Sequence, residues 1–100
     1  MTRYKPTIHR SAKRELSELD TDVRERLTDA IADVAQKRKP SSHEKVRQLE
    51  GPQGLLRVRV GSHRAIIALE SPELRVLRVG HRSEVYDGLD DGLTERRASA

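Results

Sequence analysis

In 55-LLRVRVGSHRAIIAL-69 two runs of alternating aliphatic residues flank Gly61-Ser62, a two-residue loop of the Gly-X kind that closes a tight hairpin. With this loop Val60 faces His63, and Arg59 faces Arg64. Side chains alternate along a strand, so Leu56, Val58 and Val60 share a face with Ala65, Ile67 and Leu69. Arg57, Arg59 and Arg64 share the opposite face, together with Ile66 and Ala68. The apolar set predicts a buried side. Two of the three arginines are directly opposed, which costs a hairpin about 0.2–1 kcal/mol per like-charged pair. A polyanion lying on that face would offset the repulsion.

Outward from the hairpin, 74-LRVLRVG-80 reads as a further strand after the Ser71-Pro72 turn, and 2-TRYKPTI-8, with its proline, as an edge strand. Ile8, Ala12, Leu16 and Leu19 have helical spacing, as do Val23, Leu27, Ala30, Ile31 and Val34. The break 20-DTD-22 makes these helices antiparallel neighbours, and Asp22 with Glu25 has the form of a capping box. Pro40 stops the second helix; 40-PSSHEK-45 reads as a loop, and 45-KVRQLEGPQG-54 as turn-rich. The expected fold is α+β, in the order β-α-α-β-β-β, with the helical pair on one face of a largely antiparallel four-stranded sheet. Residues 1–87 form the single domain. Residues 88–100 are expected to be a flexible polar tail, or a short helix formed on binding a partner.

The 100 residues contain no Phe, Trp or Cys, and 36% are charged against 34% hydrophobic. Aliphatic side chains must therefore build a modest core, with marginal stability alone or help from a partner. No disulfide or cysteine zinc site is possible, and His9, His43, His63 and His81 lack ligand spacing, so no metal or cofactor is expected. The first ten residues hold no apolar stretch of signal-peptide length and no run could span a bilayer, so a cytoplasmic location without membrane contact is expected. The formal charge is +4. From Lys45 to Arg82, Lys45, Arg47, Arg57, Arg59, Arg64, Arg75, Arg78 and Arg82 face only Glu50, Glu70 and Glu73 in number. The helices hold most of the acids. Positive charge thus gathers on the sheet half, as a phosphate footprint requires.

Cleavage of RNA by attack of the 2′-oxygen on the adjacent phosphorus needs a proton acceptor, a proton donor for the leaving 5′-oxygen, and cations on the phosphoryl group. Arginines supply the cations through planar, bidentate donors, but arginine is a poor base. Histidine titrates near neutrality, which makes His81 the proton carrier beside the cluster. Tyr86 stacks on a base or shares in proton transfer. His63 reads as a polar turn neighbour, Arg75 and Arg78 as general charge, and Glu84 as a partner that orients an arginine.

The runs 57-RVRVGSHRAII-67 and 74-LRVLRVGHRSEVY-86 resemble the RelE-type toxins of the RelE/ParE superfamily, from toxin–antitoxin pairs. The resemblance spans roughly residues 2–87. It implies a small microbial-RNase-like fold, cleavage of mRNA in the ribosomal A site without a cofactor, and neutralisation by a cognate small acidic antitoxin. By position it assigns Arg64, His81, Arg82 and Tyr86 as catalytic residues. Arg57 and Arg59, with Lys45 and Arg47, become the RNA-binding ones. Lysines often found on the basic strand are arginines here, which moves proton transfer towards His81. Aromatics common at the places of Leu56 and His63 are missing. The ParE-like branch of the superfamily poisons DNA gyrase instead, so a non-catalytic inhibitor or basic nucleic-acid-binding module is the alternative.

Overall fold

The hairpin loop sets the register of the sheet. Gly61 has φ +59°, a left-handed conformation open to glycine at little cost. Val60 then lies opposite His63, and Arg59 opposite Arg64, as the sequence predicts. The computed structural model describes residues 4–49 and 55–85. Its elements are β1 (Lys5–Ile8), α1 (Arg10–Ser17), α2 (Thr21–Ala35), a 3-10 turn (Pro40–Ser42), β2 (Val46–Gln48), β3 (Leu55–Val60), β4 (His63–Glu70) and β5 (Glu73–His81). The sheet order is β1-β5-β4-β3-β2, with β1 parallel to β5 and the other pairs antiparallel.

The sheet therefore has five strands, where four were expected. The fifth is β2, three residues that the turn-rich appearance of 45–54 concealed. Only Val46 of the three is buried, so no alternation announces a strand. Helix α2 also begins earlier than its expected capping box. Thr21 opens it after Asp20, and Asp22 lies within its first turn. It ends at Ala35, before Pro40, where the Ala35 carbonyl accepts the Tyr4 amide at 2.8 Å. The chain leaves the helix before it reaches the proline.

Both helices lie on one sheet face, α1 against β5 and α2 against β3. Leu16, Leu27, Ile31 and Val34 meet Leu56, Val58, Ala65, Ile67, Leu74 and Val76 in the main core. Burial of each large aliphatic side chain contributes about 1.5–3 kcal/mol. Leu69 packs at the margin of this core, on the predicted side.

The opposite face carries a second, smaller core of Leu55, Ile66, Ala68, Leu77 and Val85, with Leu49 against it. A β-bulge shapes it. The β4–β5 register shifts between Ile66↔Arg78 and Ile67↔Val76, leaving Leu77 as the extra residue. A bulge of this kind turns consecutive side chains to one side and sharpens the local twist. Leu77 joins the second core, while Val76 remains in the main one. Among the described residues no helix is long and apolar enough to cross a membrane.

Candidate phosphate-binding face

The strand register assembles the basic residues in rows across the helix-free face. Arg59 lies opposite Arg64, and Arg64 opposite Gly80. One step along, Arg47 lies opposite Arg57, Arg57 opposite Ile66, and Ile66 opposite Arg78. A second opposed arginine pair, Arg47–Arg57, thus joins the one legible in the hairpin. Behind these rows lies the small apolar core, so the charge occupies the hairpin end of the face.

The arginines differ in freedom. Arg59 is exposed and Arg57 half-buried, with no hydrogen-bond acceptor for its buried Nε among the described residues. Arg64 is only 8% exposed. Its Nη1 donates to the carbonyls of Gly61 at 2.8 Å and His63 at 2.9 Å, so the hairpin's own backbone fixes the guanidinium. Arg75 is equally buried, but its Nη1 donates to Glu70 Oε2 at 2.7 Å. Among the described residues, Arg47, Arg57 and Arg59 have no carboxylate partner.

Arg82 extends the ladder one step beyond β5. Its amide donates to Ser62 O at 2.8 Å, which carries the backbone at Arg82 into register with the side of Gly80 and Arg64. The chain then turns back, with the amides of Glu84 and Val85 both donating to His81 O at 2.9 Å. This turn lays Val85 over Gly80, where a Cβ would sit 3.8 Å from the Val85 Cβ.

Lys45 and His81 depart from the cluster. The Lys45 carbonyl accepts the Arg59 amide at 2.8 Å, yet Lys45 lines a cleft on the helix side with Arg26, Asp29, Asp33 and His43. There His43 Nε2 meets Asp33 Oδ2 at 2.7 Å, and His43 Nδ1 accepts the Lys45 amide at 3.0 Å. The hydrogen bond from His43 holds the Asp33 carboxyl below its ordinary value, assisted by the charges of Lys37 and Lys45. His81 lies directly opposite His63. Both follow the alternation of Val79 and Ala65, which face the helices, so the two imidazoles meet edge to face with centroids 5.5 Å apart. Burial pushes the His63 pKa down, as do His81, Arg26 and Arg64, against an opposing pull from Asp20. Tyr86 lies outside the described residues.

The expected cluster is thus brought together in its arginines. Arg47, Arg57, Arg59 and Arg64 share one face, with the Arg82 backbone at its rim. His81 stands at the end of the sheet on the other side, one residue from both Gly80 and Arg82. Sequence reasoning missed His63 as the neighbour of His81, although the same two-residue alternation contains it. It also missed Ser83, which no periodicity marks.

A small α+β fold of two helices on a largely antiparallel sheet carries this arginine face. Residues 7–86 match the family model described as ParE toxin of type II toxin–antitoxin system, parDE. The chain belongs to this family, within the RelE/ParE toxins, and is a toxin of a type II toxin–antitoxin system. Solved structures agree in fold. A free Escherichia coli RelE carrying two arginine-to-alanine changes superposes with a TM-score of 0.74 at 18% identity, covering 95% of this chain and 98% of that one. The archaeal RelE–RelB complex from Pyrococcus horikoshii OT3 gives 0.66 at 25% identity, covering 83% and 99%. The RelBE2 toxin–antitoxin complex of Mycobacterium tuberculosis gives 0.68 at 22% identity, covering 84% and 97%. No curated protein sequence matches significantly.

Proposed function

We propose that this toxin is a ribosome-dependent endoribonuclease that cleaves mRNA in the A site through attack of the 2′-oxygen on the scissile phosphate. The observation that carries this reading is the pair of opposed arginines at each of two ladder steps, Arg47–Arg57 and Arg59–Arg64. A fold tolerates such repulsion most readily where a phosphate chain neutralises it. Arg64, already oriented by two carbonyls, and Arg82 at the rim hold the phosphoryl oxygens. Arg57, Arg59 and Arg47 position the flanking backbone. Lys45 adds long-range attraction from the neighbouring edge. The scissile phosphate lies at the end of the sheet, where His81 reaches the leaving oxygen round Gly80, and Tyr86 stacks on a base or assists the proton transfer. The chemistry needs no cofactor.

The complexes from Pyrococcus horikoshii and Mycobacterium tuberculosis pair a toxin with its antitoxin. On this reading a cognate antitoxin, small and acidic, shields the basic face of this chain in the cytoplasm. Primer extension on mRNA from cells induced for the protein tests the reading. Codon-registered cuts support it, and intact mRNA refutes it.

A second reading rests on a specific observation, the match to a ParE family model. In it the same cations serve a non-catalytic inhibitor of DNA gyrase or a basic nucleic-acid-binding module. Gyrase-dependent DNA breaks with intact mRNA identify that outcome.

A further inference from the structure

The turn after β5 engages one nitrogen of His81 twice. The Ser83 amide donates to His81 Nδ1 at 3.1 Å, and Ser83 Oγ lies 2.8 Å from the same atom. A backbone amide can only donate, so Nδ1 must offer its lone pair. The neutral imidazole therefore carries its proton on Nε2. His81 then has no lone pair at Nε2 with which to take a proton, and the only one it has is committed to Ser83.

The hydroxyl differs from the amide in being able to reverse. It donates to Nδ1 when the ring is neutral and accepts from Nδ1–H when the ring is charged, whereas the amide, which cannot reverse, must give up its hydrogen bond to Nδ1 in the charged form. We propose that Ser83 is the positioning residue of His81, directing Nε2–H outward as a donor and exchanging its own hydrogen-bond role when the imidazolium forms. This deepens the endoribonuclease reading and rests on it for its catalytic consequence. His81 serves the leaving-group side of the reaction and not the base that accepts the 2′ proton. The proton lost from Nε2 is the one the 5′-oxygen gains as its bond to phosphorus breaks. The ring is left briefly neutral with its remaining proton on Nδ1, a tautomer the Ser83 amide opposes, and solvent exchange restores the favoured Nε2–H form.

Two measurements on the full chain test this. Long-range 1H–15N correlation spectra at about pH 8.5, where imidazoles are neutral, should show His81 as the Nε2–H tautomer. An Nδ1–H tautomer, or an even mixture, overturns the assignment whether or not the protein cuts RNA. Single-turnover cleavage on programmed ribosomes by Ser83→Ala and Ser83→Thr then tests the hydroxyl. Ser83→Ala should slow the chemical step by about tenfold with ribosome affinity unchanged, short of the roughly 10²–10⁴-fold loss expected for a general acid. Ser83→Thr should restore the rate. Parental cleavage by Ser83→Ala, or failure of Ser83→Thr to rescue, removes the switching role. If the parent cuts no mRNA, the endoribonuclease reading and the catalytic role fall together, while the tautomer still shows whether Ser83 holds the ring.

Discussion

Replacing Arg59 with Gln should make the free protein more stable. The Arg59 amide bonds to Lys45 across β2, so Arg59 and Arg64 form a non-hydrogen-bonded pair on the β3–β4 side. Pairs of that kind bring Cβ atoms closest, about 4.5–5.5 Å apart, and like charges there cost about 0.2–1 kcal/mol. Arg59 is exposed, so its stem contributes little packing. Arg59→Gln should therefore gain a few tenths to about 1 kcal/mol in urea denaturation at 0.05 M salt. The gain should disappear near 1 M salt, where the Debye length falls to about 3 Å. RNA binding should weaken at the same time, and the slope of log K against log salt should become shallower by about 0.7, since one phosphate fewer is neutralised. A variant that is less stable at low salt, or that keeps the parental salt slope, refutes the idea that phosphate balances these arginines.

Ile66 is fully buried on the face away from the helices. Ile66→Ala should cost about 2–5 kcal/mol in denaturant melts, within the range for a core deletion, whereas less than about 1 kcal/mol means the second core does not hold the sheet. His63 provides the pH dependence. Its pKa is depressed in the folded state, first by burial. The unfolded chain then binds the proton more readily, so this contribution is fully present above the ordinary histidine value of 6.5 and is lost as pH falls through the folded pKa. The melting temperature of His63→Gln should approach or exceed the parent's as pH is lowered from about 7.5 to 5. A difference independent of pH removes His63 from the linkage.

The hairpin and both faces of its strands could be read from the sequence because three facts agreed: a Gly-X loop, strict alternation, and helices able to cover one side only. The same alternation placed Arg57 with Arg59 and Arg64. It failed at β2, where three residues with one buried side chain give no period, and at Leu77, where an inserted residue breaks the two-residue count. The site was legible in its cations for the same reason. His81, the proposed proton carrier, was legible by type but not by side, because Gly80, not His81, is the residue opposite Arg64. Ser83 was invisible because its contact is local and depends on a turn that only the folded chain defines.

The pairing of β1 with β5 has a consequence for the timing of synthesis. Lys5 aligns with Glu73 and Ile8 with Val76, strands from opposite ends of the described chain. A parallel pair of such long sequence separation forms late, since the loop entropy must be lost before the pairing rewards it. During translation the hairpin of β3 and β4 can close as soon as it emerges, but β1 has no neighbour in the sheet until β5 follows. The arginine rim at Arg82 comes later still. A nascent chain thus carries an incomplete sheet until β5 has left the ribosome.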